Sequence, residues 1–142
     1  MRRPLLRILT AVYLLAVAWI TLNPAPPDPH RNPALDWLLG VFASVPALAW
    51  IDFRVTEFTA NVLLFVPLGV LGTLLLGRWR WWLVLALGVA TTLVIEFVQL
   101  FLPARFSDPS DLIANTLGTV VGIAVVAAWA AAGSRRTAQA AS

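Results

Sequence analysis

The sequence contains no cysteine and no lysine, a single histidine and a single methionine, and only 12% of its 142 residues are charged. Without cysteine there is no disulfide framework, no thiolate nucleophile and no cysteine-based zinc site. The scarcity of charge excludes more. A soluble domain carries about 25% charged and about 45–50% apolar residues. Here 60% are hydrophobic and mean hydropathy is +0.84. A chain this short has too little interior to hide that much apolar surface from water. Lipid is the solvent in which the composition makes sense.

The ten basic residues are all arginine and outnumber seven acids, giving a net charge of +3. They are scattered between apolar segments and form no stripe or basic helix, so a nucleic-acid partner is not expected.

Four apolar runs are long enough to cross a hydrocarbon core of about 30 Å at about 1.5 Å per residue. They span about 5–22, 58–76, 81–102 and 112–132. The first follows Arg2 and Arg3 and is read as a retained span. A signal peptide would need small residues at its cleavage site, but Trp19 and Ile20 directly follow Ala16–Ala18. The segment 37–51 is apolar but too short to span, contains Gly40 and Pro46, and has Trp37 and Trp50 near its ends. It is expected as a short interfacial or re-entrant helix. The proline-rich stretch 23–29 before it reads as a linker. The expected architecture is therefore all-α: one membrane domain over 1–132, a four-helix bundle, with a disordered tail over 133–142.

Arginine placement sets an expected orientation. Four spans put Arg2, Arg3, Arg7, Arg78, Arg80, Arg135 and Arg136 on one side and Arg31, Arg54 and Arg105 on the other. The second side also holds Asp28, Asp36, Asp52, Glu57, Asp108 and Asp111. The seven-arginine side, with both termini, is expected to be the cytoplasm of a bacterial inner membrane.

That orientation places several polar residues at one depth. Glu96 lies about 9 Å below the outer end of the third span, with Gln99 one turn further out on the same face. Asn61 lies near the outer end of the second span. Asn115 is at i+4 from Asp111 at the start of the fourth, and Gly118 and Gly122 continue that stripe. The loop between the last two spans adds Arg105 and Asp108. An ionised acid at a helix centre costs roughly 2.5–3.5 kcal/mol on insertion scales, so an intramembrane acid such as Glu96 is a functional candidate by default. The amides can instead simply tie helices together, Asp111 can cap the fourth helix, and Gly118-xxx-Gly122 reads as close packing.

The stretch from Asn61 to Gly69 (Asn-Val-Leu-Leu-Phe-Val-Pro-Leu-Gly) resembles the second-helix motif of the VanZ-like family. The stretch from Glu96 to Gly118 resembles the family's next motif: Glu96 and Gln99, then Arg105, an aspartate-containing turn with Asp108 and Asp111, and Asn115 with Gly118. The match covers roughly 57–125. Many members carry a charged residue followed by histidine before the second helix, where this chain has Glu57, Phe58 and Thr59. The family's name comes from a protein associated with low-level resistance to the glycopeptide teicoplanin. The resemblance implies a cell-envelope membrane protein and no defined reaction.

Three functions compete, and a fourth, a transporter, would need an oligomer or proton movement through Glu96. In the first, Asn61, Glu96, Gln99, Arg105, Asp108, Asp111 and Asn115 form an outer-leaflet pocket. It would hold a membrane lipid, a lipid-linked envelope precursor or a lipophilic drug, with Arg105 suited to a phosphate or carboxylate. In the second, an enzyme acts on a lipid-linked precursor with Glu96 as acid or base and Asp111 or Asp108 as partner. In the third, the polar network only orders a scaffold. No metal and no cofactor is expected. A fluorescent protein fused after Ser142 is expected to fluoresce, and alkaline phosphatase fused there to be inactive. The reverse pattern overturns the orientation.

Overall fold

A computed structural model describes residues 3–24, 33–102 and 108–140, with side chains described through residue 134. The described chain forms five α-helices: α1 (Arg3–Leu22), α2 (Pro33–Ser44), α3 (Phe53–Leu76), α4 (Trp81–Gln99) and α5 (Pro109–Ala140). A short 3-10 turn, Arg78–Arg80, leads into α4. Every helix but α2 is long and apolar enough to cross a membrane.

Local chemistry sets the helix ends. α2 stops at Ser44 because Val45 precedes Pro46, and the residue before a proline avoids the helical region. With 12 residues it reaches only about 18 Å, short of a span, and it buries no residue. α3 begins five residues earlier than the apolar run suggests. Asp52 caps it, accepting the Val55 backbone N–H at 2.9 Å. At its other end Gly77 takes φ +87°, the left-handed conformation that favours glycine, and turns the chain toward α4. α5 starts at Pro109, whose missing N–H costs nothing in a first turn. Asp108 caps this helix by accepting the Ser110 N–H at 2.8 Å, so the cap falls on Asp108 and not on Asp111. α4 ends at Gln99, three residues before the end of its apolar run. α5 continues through Ala140, into the segment expected to be disordered. That stretch is free of proline and follows the alanine-rich run 127–132, and alanine is the best helix former.

The four long helices alternate in direction. The C-terminal end of α1 meets that of α4, through Gln99 and Thr21, and the N-terminal ends of α3 and α5 meet through Asn61 and Asp111. All four of these ends lie at one end of the bundle, which is termed the polar end. Arg3, Arg7 and Arg80 gather with the C-terminal residues of α3 at the other.

α3 and α5 run parallel and touch backbone to backbone. A Cβ added at Gly118 would collide with the Val62 carbonyl oxygen. One added at Gly122 would collide with the Val66 carbonyl oxygen and stand 2.8 Å from the Cα of Gly69. In lipid the hydrophobic effect gives helices no reason to associate, so close van der Waals contact carries the pairing. α4 lays a stripe of Val84, Gly88, Thr92, Ile95 and Gln99 on this pair, spaced by three or four residues. Phe65, Val17 and Ile95 form the buried apolar cluster beside it. Pro67 removes one N–H from the α3 ladder, and the Tyr13 hydroxyl of α1 donates to the neighbouring Leu64 carbonyl at 2.7 Å. Large apolar side chains such as Leu15, Leu63, Phe97 and Val125 face outward, where lipid would meet them.

Gly122→Leu is expected to cost about 1–3 kcal/mol, the usual range for overpacking, because backbone cannot step aside. Gly133→Ala, with open space around its Cβ, is expected to be neutral or to stabilise by up to about 1 kcal/mol. Thermal unfolding in neutral detergent checks both.

Candidate functional site

At the polar end, α1, α3, α4 and α5 enclose a cavity of about 90 Å³. Its walls include Thr21 from α1, Glu57 and Asn61 from α3, Glu96 and Gln99 from α4, and Asp111 and Asn115 from α5. Ile20, Leu64 and Ile95 complete the lining. Helical periodicity builds each wall. Residues 57 and 61, 92 and 96, and 111 and 115 are each one turn apart and share a face. The alternating direction of the helices then brings those faces to one level.

One N–H of each amide in this cluster is already committed. Asn61 Nδ2 donates to Asp111 Oδ1 at 2.6 Å and joins α3 to α5. Gln99 Nε2 donates to the Thr21 carbonyl at 2.9 Å and joins α4 to α1. Asn115 Nδ2 donates to Thr92 Oγ1 at 2.9 Å and joins α5 to α4. Thr119, one turn below, donates to the Asn115 carbonyl at 3.0 Å. The acceptors are less well served. Gln99 Oε1 and Asn115 Oδ1 are buried and accept no hydrogen bond from the described residues. A buried acceptor left unsatisfied costs about 1–3 kcal/mol. Glu57, Glu96 and Asp111 add three carboxyl groups to the same walls.

Of the residues expected at the site, Asn61, Glu96, Gln99, Asp111 and Asn115 come together around this cavity. Asp108 does not. It lines an adjacent, more open cavity of about 380 Å³ with Arg54, Val55, Glu57, Phe58 and Ser110. Glu57 is common to both, so the larger cavity stands as a mouth beside the smaller one. Arg105 lies outside the described residues, as does most of the proline-rich linker. Sequence reasoning passed over Thr92 and Thr21. Thr92 carried a signal, since it lies one turn before Glu96 on the same helix face. Thr21 carried none, because Gln99 uses its main-chain carbonyl.

A family model, VanZ/LLP1, matches residues 10–130. The chain belongs to the VanZ/LLP1 family. The match takes in α2, α3 and α4 entirely and most of α1 and α5, and with them every residue that lines the cavity. No curated protein and no solved structure matches the chain. Among the described residues of this VanZ/LLP1 chain, no group of three or more acidic or histidine side chains is arranged to hold a metal ion.

Asp108 has a measurable signature. The Ser110 backbone N–H holds its carboxyl below the ordinary aspartate value, helped by the Ser110 side chain and by Arg54. A carboxyl depressed in the folded state contributes stability that is complete above its unfolded pKa and is lost as pH falls through its folded pKa. Wild type is therefore expected to melt above Asp108→Asn at neutral pH, and the gap to close as the pH is lowered past the usual carboxylate range. A gap that stays constant or widens on acidification contradicts the cap.

Proposed function

We propose that this VanZ/LLP1-family protein is an envelope-associated membrane protein that binds the polar head of a membrane amphiphile at the polar end of its bundle. The observation that carries the reading is the small cavity walled by four helices, where two buried amide oxygens have no donor among the described residues. A purely structural network favours satisfied partners, because a half-satisfied polar cluster is worse than an apolar core. These oxygens are what a ligand, or water standing in for it, would meet.

The walls are polar while the outer surface of the same helices is apolar. A ligand reaching the cavity from the bilayer would suit both environments if it were amphiphilic. The larger mouth with Arg54, Glu57 and Asp108 gives room for a bulkier group at the aqueous boundary. The arginine bias supports placing this end on the outer face of the inner membrane, where lipid-linked envelope precursors and glycopeptides are found. The link to antibiotic susceptibility is a property of the family and extends to this chain as part of the proposal.

Mass spectrometry of the protein extracted in native membrane patches tests the reading. Wild type is expected to retain a defined amphiphile above its bulk-membrane abundance. Gln99→Leu with Asn115→Leu is expected to lose about tenfold or more of it, one lost hydrogen bond to a charged group being worth about 1.5–3 kcal/mol. The same pair is expected to alter teicoplanin susceptibility. A wild-type lipid profile equal to that of the folded double variant overturns the proposal.

A further inference from the structure

The inventory of donors and acceptors around the cavity is lopsided. Each of the three amide side chains there turns one N–H to a protein acceptor: Asn61 to Asp111, Gln99 to the Thr21 carbonyl and Asn115 to Thr92. Gln99 and Asn115 are only 6% and 4% exposed, and their amide oxygens accept nothing from the described residues. The carboxyl groups of Glu57, Glu96 and Asp111 line the same space. No lysine or arginine is among the described lining residues. A phosphate or carboxylate entering here would meet acceptors of its own kind and like charge. A donor would meet oxygen on several sides.

Size narrows the choice. A water molecule claims about 30 Å³ of liquid, so about 90 Å³ has room for a compact polar group with a water or two beside it. A primary ammonium fits: it is compact, carries three donors and no acceptor, and is positive.

A second feature adjoins it. An apolar groove of about 340 Å³ runs between α1 and α4, walled by Leu14, Val17, Leu22, Leu87, Val94 and Ile95. Ile95 belongs to both the groove and the cavity, and Leu22 follows cavity-lining Thr21 in the chain. The groove lies within two membrane-spanning helices. An alkyl chain is the occupant that the bilayer supplies there, and a polar head on that chain would reach the cavity past Ile95.

We propose that the cavity takes the primary ammonium head of an amphiphile whose alkyl chain lies in the α1–α4 groove. This rests on the amphiphile-binding reading above and adds the chemistry of the head group. The ammonium donates to Gln99 Oε1, to Asn115 Oδ1 and to a carboxylate of the lining. No covalent step is involved.

The test uses the full-length protein in a neutral maltoside detergent and four twelve-carbon probes, with binding followed by native mass spectrometry and titration calorimetry. Dodecylamine is expected to bind one to one. It should bind about tenfold or more tighter than dodecyltrimethylammonium, which has the charge without the donors, and than dodecanol, which has one donor without the charge. Dodecyl phosphate is expected not to compete. Gln99→Met is expected to weaken dodecylamine by about tenfold by removing one acceptor. Ala90→Phe, on the exposed rim of the groove, is expected to weaken all chain-bearing probes alike while the protein stays folded. The wild-type head-group ranking stands even if a variant fails to fold. Tighter binding of dodecyl phosphate, as Arg105 contacting the ligand would give, overturns the ammonium assignment and leaves amphiphile binding intact. Equal binding of all four probes does the same. Absence of binding by every probe, with water alone in the cavity, overturns both.

Discussion

The bundle depends on the backbone contact between α3 and α5. In a bilayer the lipid tails are as apolar as leucine, so burial by itself offers no driving force and helices must be held by contact and hydrogen bonding. Gly118 and Gly122 let the α5 backbone reach the Val62 and Val66 carbonyls of α3. That approach fixes the rotation of both helices. With the rotation fixed, Asn61 and Asp111 come within 2.6 Å, and Asn115 turns toward Thr92 on α4. Each amide then ties one further helix into place, and Gln99 brings in α1 through the Thr21 carbonyl.

The same bonds that close the bundle also decide the character of its cavity. An amide has two faces with opposite preferences, and here the donor face is used for architecture. The acceptor face of Gln99 and Asn115 is left over. Architecture and binding are thus carried by the two halves of one functional group. That division explains how a cluster can stabilise a membrane bundle and still hold unmet hydrogen-bonding capacity.

Much of this was legible in the sequence, for specific reasons. The long apolar runs mark the spans because only a helix satisfies its own backbone in lipid. Glu96, Gln99, Asp111 and Asn115 announce a shared level because helical rise converts position into depth. The ends of the helices were less legible. Polar residues such as Asp52 and Arg54 extend α3 beyond its apolar run because a cap, and not hydropathy, ends a helix. The tail reads as small and polar, yet it holds no proline and follows the alanine-rich run 127–132, and α5 continues through Ala140. Within the site, a glutamine in a span says that a partner is needed but not which. Thr92 and Thr21 follow only once the helices are placed.

The bond from Gln99 to the Thr21 carbonyl has an evolutionary consequence. Every amino acid supplies a carbonyl at position 21, so this bond constrains one partner and leaves the other free. Substitution at 21 preserves it, whereas substitution of the glutamine removes it. The two positions are in contact but have no reason to covary across the family through this bond, and α1 can drift in sequence while remaining fastened at the same point.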